Sequence, residues 1–399
     1  MKSLYWIRSD LRTTDNEALA TCWRDSSQVT FVFAPTASLR RAGPYRKSFY
    51  LECLSAFREE LQSQESPPAT QMVNTDQSFP EFLQGLSPSE TPDRIYFNKE
   101  FAFEERQEES EVERLCHDRG ITLHPFEGST IIAQSDLPFS LDQMPFIFTD
   151  FRKKVECYLT VYSVKPLVTS PFYIRENPAT ARLHHYLWNT HSVQRYKETR
   201  NGMIQFDDSS KLSPWLSVGA ISPRMIYHEL KRYEIQVCKN ESTYWLFFEL
   251  LWREYFKYFS LKFGRSLFLP EGLRPGKSSN RNDLVAFQSW KEGRTPDRFI
   301  NANMNELNQT GWMSNRGRQN VASYLIHDLG VNWTWGATYF EEMLIDYDPD
   351  SNWGNWLYLS GRGSDPRARK FNTALQAETY DPDCRYRALW DPNSNNTGA

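Results

Sequence analysis

An α/β N-terminal domain built on a parallel sheet, followed by an all-α C-terminal domain, is the fold class this sequence predicts. Before about residue 125, short β-branched or aromatic runs alternate with helical periods, the pattern of a parallel sheet flanked by helices. From Leu216 onward only helical periods occur, and 399 residues are too many for one ordinary core. The expected partition is 1–130 for the α/β domain, 131–200 for an interdomain linker and 201–399 for the helical domain.

In chain order, 3–7 and 29–33 are strand candidates, and 15–23 between them has helical composition with an Asp15-Asn16 start that can cap it. Segment 46–62 carries Phe49, Leu51, Leu54, Phe57 and Leu61 near a 3.6-residue period. A strand at 94–97, a helix at 104–119 ending at Gly120, and a strand at 121–125 complete the first domain. The run 100–113 holds seven Glu and one Arg and reads as a solvated helix. Prolines at 125, 138, 145, 166, 171 and 178 mark a long connector with some helix around 151–160. Helices are then expected at 223–233, 242–263, 283–291, 303–309, 318–329 and 338–344, and the tail after Asp391 is low in complexity.

No run approaches 18 apolar residues, and the N-terminus lacks the apolar segment of a secretory signal, so a cytoplasmic protein is expected. The six cysteines lie far apart, which suits free thiols, and no His or Cys spacing suggests a metal. Net charge is −4, but basic residues recur at Arg316, Arg318, Arg362, Arg367, Arg369 and Lys370, so the overall sign does not decide against DNA. Of 13 Trp, ten lie at or beyond Trp215; they serve either stacking on a flat ligand or on bases, or core packing. No Gly-x-Gly-x-x-Gly follows a strand, and the near-miss phosphate loop at 272–278 reads as a surface loop.

Ser209-Ser210-Lys211-Leu212-Ser213-Pro214, ahead of a helical segment, offers the hydroxyls, backbone N–H groups and cation that a pyrophosphate needs, although serine-rich turns also serve as helix caps. Around it lie Tyr196-Lys-Glu-Thr-Arg-Asn-Gly202, Phe248-Glu-Leu-Leu-Trp-Arg-Glu254, Thr310-Gly-Trp-Met-Ser-Asn-Arg-Gly-Arg-Gln-Asn320 and Asp346-Tyr-Asp-Pro-Asp-Ser-Asn-Trp-Gly-Asn-Trp356. In this order the set resembles the photolyase/cryptochrome family, and Trp6-Ile-Arg-Ser-Asp-Leu-Arg12 with Asp15-Asn16 is similar to that family's opening. The resemblance covers nearly the whole chain, to about Trp390.

It implies a Rossmann-like antenna domain and a helical FAD-binding domain. Tyr196, Ser209, Ser210, Lys211, Leu212 and Ser213 then hold the FAD phosphates and ribityl chain, while Trp312, Asn315 and Arg318 line the flavin cavity. Asp346 and Asp348 match carboxylates near the isoalloxazine edge, Arg318 with Asp346 as a buried ion pair, and Asn352 matches the position facing flavin N5. An amide there can donate to N5 and tolerate a reduced, anionic flavin that a carboxylate would repel; an Asn in a turn before Gly354 is the plain alternative. Glu249 and Trp252 match the pair that meets the lesion: Glu249, neutral through burial, donates to a thymine carbonyl, and Trp252 stacks on the flipped-out dimer. Their alternative is a core face of the 242–263 helix.

Gln319 and Tyr358 stand where duplex-type photolyases carry Met and Trp, and with Asn315 they point to DASH-type cryptochromes acting on cyclobutane dimers in single-stranded DNA. No histidine occurs within 310–320, which speaks against a (6-4) lesion. Trp356 and Trp333 match the two inner members of an electron relay, whereas Asn280 occupies the outer position, leaving Trp335, Trp353 or Tyr358 as substitutes. Glu105 matches a glutamate that holds an antenna such as methenyltetrahydrofolate. A monomeric, metal-free DNA repair enzyme is the expectation. A blue-light photoreceptor without repair is the alternative, disfavoured because the chain ends within ten residues of Trp390.

Overall fold

The structure, a computed structural model, describes residues 2–63, 68–168, 177–275, 280–365 and 369–391. Five parallel strands, β1 (Lys2–Ile7), β2 (Gln28–Phe33), β3 (Ala69–Asn74), β4 (Arg94–Asn98) and β5 (Thr122–Phe126), form a sheet in the order β3-β2-β1-β4-β5. β1 runs in register with β2 from Lys2–Gln28 to Ile7–Phe33 and with β4 from Ser3–Arg94 to Tyr5–Tyr96. Both faces of β1 are covered: Tyr5 and Ile7 enter one core, Leu4 and Trp6 the other.

The helix Glu17–Asp25 starts where expected, the Asn16 side chain accepting the Leu19 N–H at 3.2 Å. The helices Pro44–Gln62 and Phe103–Arg119 follow, the second ending at Gly120, whose φ of +68° suits glycine. β3 and the helix Phe79–Gly85 are additions to the sequence reading; β3 is an exposed, largely polar edge strand without an alternating signal.

The glutamate-rich helix is solvated at Glu104, Glu111 and Glu113, as expected, but not at Glu109. Arg8 is buried at the end of β1 with its guanidinium 4.2 Å over Trp6, and its charge is met by Glu109 at 2.5 Å. Glu109 is therefore drawn inward, as an unpaired buried guanidinium would be costly. The expected connector is also packed: it forms the helices Phe148–Val161 and Pro178–His184, and Ile131, Phe139, Phe151, Val155 and Tyr186 enter the main core.

Beyond it the structure is helical, with Pro223–Gln236, Glu241–Phe263, Leu284–Lys291, Arg298–Thr310, Asn315–Ser323, Trp333–Met343 and Pro349–Leu359 as principal elements. The last of these includes Asn352, so that residue is helical and not in a turn. Asp348 caps it by accepting the Ser351 N–H at 2.8 Å, and Pro349 fills its first turn. Of the loop 272–278, Gly272 has φ +63°, whereas 276–278, like Arg367 and the tail after Asp391, lie outside the described residues. No helix among the described residues is long and apolar enough to cross a membrane.

One core runs through both parts, holding Tyr5 and Phe31 together with Trp290 and Trp356. The β1–helix loop is fastened to the helical part by polar contacts. Arg12 donates to the Gly219 carbonyl at 2.9 Å, and buried Asp15 receives Ser222 Oγ at 2.6 Å and Arg224 Nε at 3.0 Å. From the helical side, Glu254 accepts the N–H groups of Ile131 and Ile132, each at 2.9 Å. Gly219, at φ +70°, presses on the Ser9–Asp10 backbone where any Cβ would collide.

Candidate active site

A cavity of about 580 Å³ opens between the helices, within the roughly 300–1,000 Å³ usual for small-molecule and cofactor sites. Tyr196, Ser209, Ser210, Lys211, Leu212 and Ser213 line it together with Trp312, Asn315, Arg318 and Asp346. Glu249 and Trp252 from Glu241–Phe263, Gln319 from Asn315–Ser323 and Tyr358 from Pro349–Leu359 line the same space. A neighbouring cavity of about 100 Å³ shares Asn315, Arg318, Gln319 and Asp346 and adds Asp348, Asn352 and Trp356. Trp333 and Glu105 line neither.

The serine loop is held from behind. Arg182 Nε donates to the Ser210 carbonyl at 2.8 Å and its Nη2 to that of Ser209 at 3.2 Å, while Nη1 pairs with Asp207 at 2.6 Å. Lys211 adopts a left-handed φ of +54° and sets its ammonium 4.4 Å over the Trp312 ring, with Arg318 5.2 Å from that ring. Burial lowers the Lys211 pKa. Arg318 Nη2 contacts both oxygens of Asp346, at 2.9 and 3.0 Å, the ion pair expected from the sequence. Burial works to raise the Asp348 carboxyl, but Lys257 at 3.5 Å and Arg253 at 3.7 Å outweigh it and hold it at about 2.

Glu249 is not a lone buried acid. Burial raises its pKa, while the Arg200 guanidinium, bonded to it directly, opposes the rise. Trp252 is stacked on Phe148, centroids 3.6 Å apart at 14°, and meets Tyr358 edge-on at 5.9 Å. Asn352 Nδ2 donates to the Ala337 carbonyl at 3.0 Å, which uses one of its two N–H groups. Trp333 and Asn280 sit side by side, both donating to the Pro270 carbonyl, at 3.1 and 3.0 Å. From Trp356, ring contacts run instead through Trp290 (6.3 Å) and Phe287 (5.9 Å) to half-buried Trp335 (5.2 Å).

Glu105 lines a separate cavity of about 60 Å³ between the two parts, with Arg8, Arg46, Glu100 and Lys257, and burial pushes its carboxyl up to about 8.

Arg182 and Arg200 were given no role from the sequence, and Arg316 was named there only as one of the recurring basic residues. Arg182 lies in the connector without any motif, whereas Arg200 and Arg316 stood inside recognised runs. Arg316 lines the large cavity, donates to Asn201 Oδ1 at 3.3 Å, and has a buried Nε with no hydrogen-bond partner among the described residues.

Two family models match the chain: "DNA photolyase" over residues 3–169 and "FAD binding domain of DNA photolyase" over 245–398. A zebrafish (Danio rerio) protein named cryptochrome DASH is 38% identical over 97% of this chain and 82% of its own length. A Synechocystis protein of the same name is 38% identical over 98% and 88%. The crystal structure of a Synechocystis cryptochrome superposes with a TM-score of 0.89 at 35% identity, covering 100% of this chain and 90% of that one.

Proposed function

The chain belongs to the photolyase/cryptochrome family, in its DASH branch, with FAD as its cofactor, and from that premise we propose that it splits cyclobutane pyrimidine dimers under blue light, preferentially in single-stranded DNA. The observation carrying this reading is the single cavity of about 580 Å³ that gathers a phosphate-type loop and the Glu249–Trp252–Asn315–Gln319–Tyr358 set.

The cavity suits a flavin dinucleotide. Its walls supply serine hydroxyls, the Lys211 ammonium and the flat Trp312 ring, a donor-rich set matched to a pyrophosphate and an aromatic ring system. When bound, the flavin supplies light absorption and the electron that opens the cyclobutane ring and is then recovered.

The protein binds, orients and tunes. Tyr196 and residues 209–213 hold the phosphates and ribityl chain. Trp312, Asn315 and the Arg318–Asp346 pair fix the ring system, and Asp348 stays charged beside Lys257 and Arg253. Asn352 offers N5 its second N–H. Glu249, once neutral, donates to a pyrimidine carbonyl, and Trp252, braced by Phe148, gives the dimer an aromatic wall. Gln319 and Tyr358 make that wall more polar than a second indole would. A polar pocket offsets less of the cost of unstacking, so a strand already single is favoured. With a flavin bound, Trp356 would be the inner member of a path for electrons from an external reductant, through Trp333 or along the Trp290–Phe287–Trp335 contacts.

The test is a repair assay. The flavin-loaded, photoreduced protein is mixed with single-stranded or duplex oligonucleotides carrying one thymine dimer, in blue light and in darkness. Light-dependent loss of the dimer, faster on the single strand, is expected. Bound, reducible FAD with neither substrate repaired hands the molecule to the photoreceptor reading, and protein purified without flavin sinks both.

A further inference from the structure

Arg200 follows the short helix Tyr196–Thr199 and reaches across the cavity mouth to Glu249, 49 residues on. The two side chains are 21% and 29% exposed, so an incoming ligand can reach both. The guanidinium lies 4.5 Å over the Trp245 ring, and of its five N–H donors only the one on Glu249 has a protein partner among the described residues. Arg316 lines the same cavity, and its charge repels that of Arg200. Two guanidiniums thus line this cavity, and the Glu249 carboxylate pairs with that of Arg200.

We propose that Arg200 binds a backbone phosphate of the incoming strand and, by leaving Glu249 to do so, turns Glu249 into the neutral donor that the dimer requires. This rests on the dimer-repair reading given above. A phosphate receives a planar guanidinium through two parallel bonds, a stronger arrangement than the single bond to Glu249. Glu249 then faces Trp245, Phe248 and Trp252 without a cation, and its carboxylate takes one proton from solvent through the open mouth. The other titratable group against it, the Tyr196 phenol, is pushed well above its usual range, burial first and Glu249 second, so it stays neutral and does not compete. Arg200 is thus a positioning residue: it touches the strand, and its departure sets the state of the acid that touches the lesion. The apo ion pair keeps Glu249 charged until a strand arrives.

Titration calorimetry of the flavin-loaded protein in darkness decides this. A single-stranded oligonucleotide with one thymine dimer is titrated in buffers of different ionisation enthalpy between pH 6 and 8. The wild type should take up about one proton per strand. Glu249→Gln should take up almost none, because the acid is gone. Arg200→Gln should also take up almost none, because its Glu249 is protonated beforehand, and its binding should lose about 0.7 from the salt slope. Arg200→Lys, still a cation able to move, should restore the uptake. Flavin absorbance checks that each variant folds; should Arg200→Gln lose its flavin, Arg200→Lys and Glu249→Gln carry the decision. Dimer-dependent binding with no uptake in the wild type, or full uptake in Arg200→Gln or Glu249→Gln, overturns the role of Arg200 alone. Failure to bind the dimer strand at all removes the repair reading with it.

Discussion

Glu306 is buried in the helical part, where it accepts a hydrogen bond from the Tyr386 hydroxyl, and burial pushes its carboxyl up to about 7. In the unfolded chain the same group titrates near 4.5. The folded state therefore holds the proton more tightly, so this contribution to stability is complete below about 4.5 and is lost as pH rises through about 7. Glu306→Gln should flatten that slope, by about 2–3 kcal/mol between pH 5 and 8, in urea unfolding followed at both pH values. Single residues were legible in the sequence when a contiguous motif carried them: Ser209, Asn315, Arg318 and Asn352 could be named because their neighbours identified them. The ion pair between Arg200 and Glu249, or the grip of Arg182 on the serine loop, depends on residues brought together only by folding, and no local pattern announces it.

At the scale of elements, the helices Glu241–Phe263 and Pro349–Leu359 form two walls of the cavity and meet at Gly354, where a Cβ would run into the Phe256 ring. Gly354→Ala should cost about 1–3 kcal/mol through overpacking and weaken flavin retention, read as a lower Tm and as flavin lost on gel filtration. A variant with unchanged Tm and full flavin would show that the helices can separate without harm. Helices with a clear apolar period were legible from sequence. β3 was not, since an exposed edge strand needs no alternation, and Pro349–Leu359 was not, since its Gly, Asn and Trp residues dilute the period. Glu109 of Phe103–Arg119 misled for an opposite reason: charge usually marks solvent, and here Arg8 recruits it inward.

For the molecule as a whole, the two-part architecture was plain from the change of period along the chain, while the way the parts are joined was hidden. Asp15 illustrates the difference: read as a helix start, it is a buried anchor for Ser222 and Arg224. Asp15→Ala should leave Arg224 buried without its countercharge and cost about 3–5 kcal/mol, seen as a lower denaturation midpoint common to fluorescence and far-UV dichroism. Independent transitions of the two parts would mean that the joint does not couple them. The same joint bears on how the protein is made. Arg12 and Asp15 are translated about 200 residues ahead of their partners Gly219, Ser222 and Arg224. At roughly 5–20 residues per second, the nascent sheet waits on the order of ten seconds or more with a buried-type arginine and aspartate still exposed to water. Nascent chains halted before residue 219 should thus hold their N-terminal loop open, a natural point of engagement for chaperones.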